Sequence, residues 1–483
     1  MKITKPHVAL LASPGMGHLI PVLELGERFV TQHNVQVTVF VVGTDASSVQ
    51  SQLSNFPYPN LFNIVSLPVD ISSLIDADAS IEIKIIVMMQ ECLPSLRSAI
   101  SAMKFRPTAL VVDLFGTEAM AIADEFEIMK YVFIASNAWL LAVTLYAPAI
   151  NRKLLIDEHL NQKKPLKVPG CTSVRFEDTL DPFLLPDDPM YDGFASVGMK
   201  MSMADGILVN TWEDLESKTL ASLRDANMLG SLSKAPVYPI GPLVRPTASQ
   251  TQESKVLNWL DNQPDESVIY VSFGSGGTLS AKQMIELAWG LEMSKQRFIW
   301  VGRPPMENDA SEFYLSLTGN NCASNFDYLP DGFLTRTKNV GIVVPMWAPQ
   351  TDILSHRSVG GFLSHCGWNS ILESIVNGVP IIAWPLFAEQ KMNATMLTEE
   401  IGMAVRSKQL PTESIIDREE IESMVRRIMV DKEGEEIRTR VKNLQNSSKK
   451  TCSKDGSSYI SLSRVAKGCE ISLLGQLAMD QGA

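Results

Sequence analysis

Residues 347–390 read WAPQTDILSHRSVGGFLSHCGWNSILESIVNGVPIIAWPLFAEQ. Inside this stretch the apolar run Gly360–Ser364 passes through His365, Cys366 and Gly367 into ILESIV, where the spacing turns helical. A strand that leads through a glycine turn into a helix is the repeating unit of a parallel α/β sheet. The spacing predicts a helix from about Trp368. A glycine at that junction lets a ligand approach the backbone, and the first helical N–H groups are unpaired donors. Asn369 and Ser370 fall in the first turn, where side chains and amides can grip phosphate oxygens. His365, Asn369 and Glu373 are spaced i, i+4, i+8 and share one helical face. A carboxylate one turn beyond a phosphate site can accept paired hydrogen bonds from a ribose diol. The residues alone leave two readings open, a phosphate cradle or a junction that merely caps a helix.

The same alternation extends in both directions. Upstream, strands are expected at His7–Ala12, Val35–Val42, Phe62–Leu67, Ala109–Phe115, Tyr131–Ala135 and Gly206–Asn210. Several are apolar on both faces, as buried parallel strands must be. Helical patterns lie between them, including His18–Gln32, Lys84–Met103 and Thr117–Glu127. The stretch KAPVYPIGPLVRPTASQ at 234–250 reads as a linker for its four prolines and its small polar end. Beyond it strands are expected at Ser267–Gly274, Phe298–Val301, Gly341–Val344, Gly360–Ser364 and Pro380–Trp384, with a polar surface loop at Pro304–Asn325. A last helix begins near Ser457. The expected organisation is therefore α/β, with two doubly wound, Rossmann-like domains facing across a cleft. Their bounds are 1–240 and 256–456, with a linker at 241–255 and a terminal helix at 457–483 that could return to the N-terminal domain.

Composition narrows the function. The chain has 483 residues, enough for two domains of roughly 200 residues each. Its net charge of −12 and the lack of a basic stretch argue against nucleic acid as a partner. Six scattered cysteines, with no CxxC pair, suggest neither a disulfide framework nor a zinc site, and reduced cytoplasmic thiols are the plain reading. The apolar run Val8–Ala12 is too short for a signal peptide and is broken by Pro14 and Gly15. No segment reaches the roughly 18 apolar residues needed to span a bilayer, so a protein acting in solution, as a monomer, is expected.

Three further motifs bear on chemistry. FGSGG at 273–277 follows a strand, but its glycine spacing does not fit a dinucleotide fingerprint. The next strand, FIWV, ends in Gly302 and Arg303 rather than in an acid. A phosphate contact through Ser275 fits better, and the lysine of a P-loop is missing. SPGMGHLIP at 13–21 opens a helix with His18, either a structural histidine or a base facing the cleft. Asp113, within ALVVDLFG, is an acid among apolar neighbours that needs a partner, either as a helix cap or as the group that orients His18. Asp76-Ala77-Asp78 forms a DxD triplet, a metal-binding mark elsewhere, but here it sits in a polar loop and no metal site is expected.

The block Trp347–Gln390 resembles, without a gap, the signature box of the plant secondary-product glycosyltransferases, the family-1 enzymes that use UDP-sugars. The resemblance continues in SPGMGHLIPVLELG, PTALVVDLFGTEA, VPGCTSVRFEDTLD, ADGILVNTWEDLE and FGSGG, and looks like the branch that glucosylates phenylpropanoids. It implies the GT-B architecture and no cofactor beyond UDP-glucose as donor. It implies that Trp347 stacks on uracil, that Ala348 and Gln350 satisfy base and ribose, and that Glu373 holds the ribose. His365, Gly367, Asn369 and Ser370 would meet the phosphates, together with Ser275. Trp368, Glu389 and Gln390 would contact the sugar; Glu389 stands where the family usually has Asp, and Gln390 resembles glucose-specific members. His18 would be the general base and Asp113 its partner, in direct inverting transfer. The implied acceptor is a small phenol, such as coniferyl or sinapyl alcohols and aldehydes, hydroxycoumarins or vanillin-like phenols. Flavonoids are the alternative acceptor, and a catalytically inactive nucleotide-sugar binder the alternative function. Phe115, Trp139 and Phe387 are the aromatic candidates for the acceptor pocket, with core packing equally open for each.

Overall fold

The computed structural model describes residues 5–43, 60–76, 79–245, 255–305 and 326–482. Two parallel sheets organise the chain. The first holds β1 (His7–Ala12), β2 (Gln36–Gly43), β3 (Phe62–Pro68), β4 (Ala109–Asp113), β5 (Met129–Ile134), β6 (Gly206–Val209) and β7 (Val237–Pro239), in the order β3-β2-β1-β4-β5-β6-β7. The second holds β8 (Val268–Ser272), β9 (Arg297–Gly302), β10 (Gly341–Pro345), β11 (Val359–Ser364), β12 (Ile381–Ala383) and β13 (Ala404–Arg406), in the order β10-β9-β8-β11-β12-β13. Every residue of β1, β4, β6, β8 and β11 is buried, because helices cover both faces. The sheets share one winding: strand order reverses beside β1 and β4 in the first, and beside β8 and β11 in the second. Ligands in such sheets bind at that reversal, beyond the carboxyl ends of the strands.

Among the helices that shape the cleft or cover the first sheet are α1 (Met16–His33), α2 (Ala138–Tyr146), α3 (Pro189–Met201), α4 (Trp368–Asn377), α5 (Gln390–Thr395) and α6 (Ser457–Gly482). The α6 helix crosses back to the first sheet. Its Leu462, Val465, Ala466 and Cys469 are buried in one cluster with α1 and with β1, β2 and β4. Ser458 Oγ donates to Gly241 O at 2.6 Å.

The structure departs from the sequence reading at identifiable places. The strand expected to run to Phe115 stops at Asp113, whose carboxylate accepts from Phe115 N at 3.1 Å and starts the 3₁₀ turn Leu114–Ala119. The long helix expected at Lys84–Met103 is two helices, Ile81–Glu91 and Leu93–Ser101, with Pro94 in the first turn of the second. The stretch read as a linker begins instead with β7, hydrogen-bonded to β6, and continues through buried Ile240 and Leu243. Asn210 Oδ1 accepts from Leu243 N at 2.8 Å, so the chain is packed as far as Leu243. Residues 246–254 of that linker, 306–325 of the expected surface loop, and Ala77 and Asp78 of the DxD triplet lie outside the described residues.

Candidate active site

A cleft of about 1690 Å³ opens where the two points of strand reversal face each other. Single-ligand pockets hold roughly 300–1,000 Å³, so this one has room for two molecules side by side. Its walls come from the loops after β1 and β4 on one side and from those after β8, β10, β11 and β12 on the other.

On the first side, the turn after β1 uses Gly15, at φ +100°, to start α1 and carry His18 into the cleft. His18 Nδ1 lies 3.0 Å from Asp113 Oδ2. Asp113 is buried and accepts from three donors: Ser13 N at 3.2 Å, Ser13 Oγ, and Phe115 N at 3.1 Å. The expected alternatives for Asp113 therefore coexist, since one carboxylate both caps the 3₁₀ turn and faces the imidazole. Burial opposes charging His18, but the contact with Asp113, and the more distant Glu389 carboxylate, outweigh it and raise its pKa above the ordinary value. Phe115 meets the His18 ring edge-on, with centroids 5.4 Å apart.

On the second side, β11 runs into the junction read from the sequence, and α4 begins at Trp368. The His365 ring packs between two glycines. A Cβ on Gly274 or on Gly367 would come within 2.5 Å of it, and Gly274 also holds φ +76°. Burial and nearby Arg303 lower the His365 pKa to about 4, so the ring is neutral, and its buried Nδ1 has no hydrogen-bond partner. Gln350 Nε2 donates to Ser370 Oγ at 2.8 Å and to Glu373 Oε2 at 2.6 Å, while Thr351 Oγ1 donates to Glu373 Oε1 at 3.2 Å. Glu373 is thus fixed facing the cleft, with burial pushing its pKa up against those donors. Trp347 is 69% exposed, an indole face presented to the opening beside buried Ala348. Arg303 Nε donates to Met346 O at 3.2 Å and Nη1 to Ser275 O, which ties the loops carrying Trp347 and Ser275 together.

The two sides touch at the cleft floor. Asn369 Nδ2 donates to Gly17 O at 3.0 Å, and Trp368 Nε1 to Asn210 O at 2.7 Å. Ser136 Oγ donates to Glu389 Oε1 at 3.0 Å. Gln390 Oε1 is occupied by Leu386 N and Phe387 N, at 2.9 and 3.2 Å, which fixes the side chain in the cleft wall.

Of the three aromatic candidates, Phe115 and Phe387 line the cleft. Trp139 does not. It sits 1% exposed in α2, a helix buried on all sides, and belongs to the core. Cys366 is buried with its pKa pushed up to about 12. Sequence reasoning also missed Ser136, Arg303 and Glu216. The Glu216 carboxylate accepts from Ala138 N at 2.9 Å and Trp139 N at 3.1 Å, anchoring the start of α2 beside Ser136. Burial pushes its pKa up to about 7. No local motif marks these residues, because their partners are distant in sequence. Ile85, Leu140, Leu180, Met190, Phe194 and Val197 complete an apolar wall near His18.

Paired Rossmann-like sheets, with an aromatic face, a fixed acid and a glycine-lined helix start on one side and a His–Asp pair on the other, define a nucleotide-sugar transferase. Comparison with known proteins agrees. Residues 245–437 match the family model described as UDP-glucoronosyl and UDP-glucosyl transferase. The chain is 54% identical to UDP-glycosyltransferase 72E1 of Arabidopsis thaliana, over 100% of both chains. It is 53% identical to anthocyanidin 3-O-glucosyltransferase 5 of Manihot esculenta, over 97% of this chain and 96% of that one. The crystal structure of TcCGT1 in complex with UDP superposes with a TM-score of 0.89 at 48% identity, covering 97% of this chain and 100% of that one. The chain belongs to the plant family-1 UDP-glycosyltransferases, and its activity is glycosyl transfer from a UDP-sugar.

Proposed function

We propose that the protein transfers glucose from UDP-glucose to a hydroxyl of a small phenol, with inversion at the anomeric carbon and without a metal ion. The observation that carries this is the His18–Asp113 pair, 3.0 Å apart, beside an apolar wall and across the cleft from Glu389. His18 takes the acceptor proton as the phenolic oxygen attacks the anomeric carbon, and UDP departs with the bonding electrons. Asp113 faces Nδ1 and stabilises the imidazolium, and general-base help of the kind His18 gives is typically worth about 10²–10⁴-fold. Neutral His365, the first amides of α4, Asn369, Ser370 and Ser275 meet the departing diphosphate. Trp347 stacks on uracil, Gln350 and Ala348 hold the base and ribose, and Glu373 holds the ribose hydroxyls. Glu389, Gln390 and Trp368 read the glucose.

Phenylpropanoid alcohols and aldehydes fit the apolar wall with Phe115 and Phe387 at its edge. A second acceptor class, the flavonoids, is favoured by the cleft volume and by the likeness to the anthocyanidin 3-O-glucosyltransferase of Manihot esculenta. The test is mass spectrometry of products from UDP-glucose and a panel of both phenol classes, in chelator, with the His18→Ala variant alongside. One added hexose with the wild type alone supports the base and metal independence together. Activity only on restoring a divalent cation, or unchanged activity in the variant, refutes the mechanism. UDP binding without transfer to any acceptor would make the chain an inactive nucleotide-sugar binder.

A further inference from the structure

The segment that begins with Glu389 and Gln390 is tied to the opposite half at four places along its length. Besides Ser136 to Glu389, Asn137 Nδ2 donates to Asn393 Oδ1 at 2.6 Å. Thr395 Oγ1 donates to Asp178 Oδ2 at 2.7 Å, and Thr172 Oγ1 donates to Glu400 Oε2 at 2.6 Å. The tie at Asp178 is the one made by a fully buried charge. Its carboxylate also accepts from Arg406 Nη2, at 3.1 Å to Oδ1 and 2.9 Å to Oδ2, and from Arg175 Nε at 2.8 Å. Arg406 ends β13 and Thr395 ends α5, so one acid of the first half grips the ends of two elements of the second.

A buried ion pair adds little to stability, since desolvation offsets its attraction, and its use is to fix one geometry. What it fixes here is specific. Two residues after Asp178 the chain forms the cleft wall at Leu180, Asp181 and Pro182. At the other end of α5, about 7.5 Å of helix away, Gln390 faces the cleft. We propose that Asp178 is a positioning residue for transfer: through Thr395 and Arg406 it sets the separation between the wall that seats the acceptor and the helix that reads the sugar. It touches neither substrate. Its hydrogen bonds go to Thr395, Arg406 and Arg175, and none of them to Trp347, Gln350 or Glu373, the residues proposed for uracil and ribose. The inference rests on the transfer reading given above.

The test compares Asp178→Asn and the double variant Asp178→Leu/Arg406→Met with the wild type. The double variant removes the buried Asp178–Arg406 charges together, and Arg175, 38% exposed, keeps Glu399 at 3.6 Å, which keeps the fold if the single variant loses it. Three quantities are read: transfer of hexose to a phenol, hydrolysis of UDP-glucose to glucose and UDP without acceptor, and the Kd for UDP. In hydrolysis water attacks the anomeric carbon, the glycosyl–phosphate bond breaks, UDP leaves with the electron pair, and the water's proton goes to buffer. A displacement near 1 Å costs transfer about 10²-fold. Mobile water tolerates such a displacement, so the hydrolysis-to-transfer ratio should rise by at least about tenfold with UDP affinity unchanged. A parallel fall in both rates, or transfer at the wild-type rate, would overturn the inference. Failure of the wild type to move hexose to any phenol would sink the transfer reading instead.

Discussion

Replacing Asp113 by Asn tests the catalytic pair with the least disturbance, because the amide oxygen can still accept from Phe115 N and Ser13. Burial alone would drive the His18 pKa below its usual 6.5; the Asp113 contact at 3.0 Å and the Glu389 charge reverse this. The base must be neutral to act, so wild-type kcat/KM should rise with pH through a pKa above 6.5. In the variant desolvation remains the largest influence, with only Glu389 opposing it, and the same limb should move below 6.5. At a pH well above both values each enzyme has a neutral imidazole, and the remaining deficit measures the loss of imidazolium stabilisation. General-base catalysis is worth about 10²–10⁴-fold, or roughly 3–5 kcal/mol, which bounds that deficit. The assay is initial-rate kinetics across pH 5 to 8 and above, with saturating UDP-sugar and the melting temperature as a control for folding. An acid limb that stays in place when the carboxylate is removed would refute the assignment of Asp113 as the partner of His18.

Other substitutions separate the donor side from the core. Trp347→Ala removes an exposed indole, so Tm should not change, while loss of stacking worth about 1–3 kcal/mol weakens UDP binding by roughly 5- to 150-fold in calorimetry. Gly274→Ala places a Cβ 2.5 Å from the His365 ring at φ +76°, a conformation that alone costs roughly 1–2 kcal/mol; UDP affinity and kcat should both fall, and an unchanged Kd would exclude the packing role given to this glycine. Trp139→Phe should lower stability by roughly 0.5–3 kcal/mol in denaturant melts and leave the acceptor KM untouched, whereas a changed KM would return Trp139 to the acceptor site.

How much of the molecule is legible in its sequence depends on how far apart the partners lie along the chain. The strands are legible because both faces are covered, so ALVVD and VIYVS show as continuous apolar runs. The strands β7 (VYP) and β13 (AVR) escape such a reading; three residues give no period, and edge strands tolerate proline. The side of the cleft built on the second sheet is legible because Gly274, His365, Asn369 and Glu373 sit in strand–turn–helix junctions whose local spacing states the geometry. The side built on the first sheet is assembled from separate segments around residues 81–90, 134–140 and 180–197, and no short pattern predicts that they meet. Trp139 reads as a pocket residue from its position near a strand end. The helix it occupies is buried on every side, so its sequence lacks the polar stripe that would orient it.

The returning α6 helix constrains how this chain can be made. Leu462, Val465, Ala466 and Cys469 complete a core whose other members come largely from the first half of the sequence. At ribosomal speeds of about 5–20 residues per second, the more than 200 residues between β7 and α6 take tens of seconds or less to emerge. Throughout that interval the apolar side of α1 and its strands has no cover from α6. A nascent chain in that state is a client for chaperones, and a protein shortened at its last helix would carry a permanent version of the same defect in its first sheet, far in sequence from the cut.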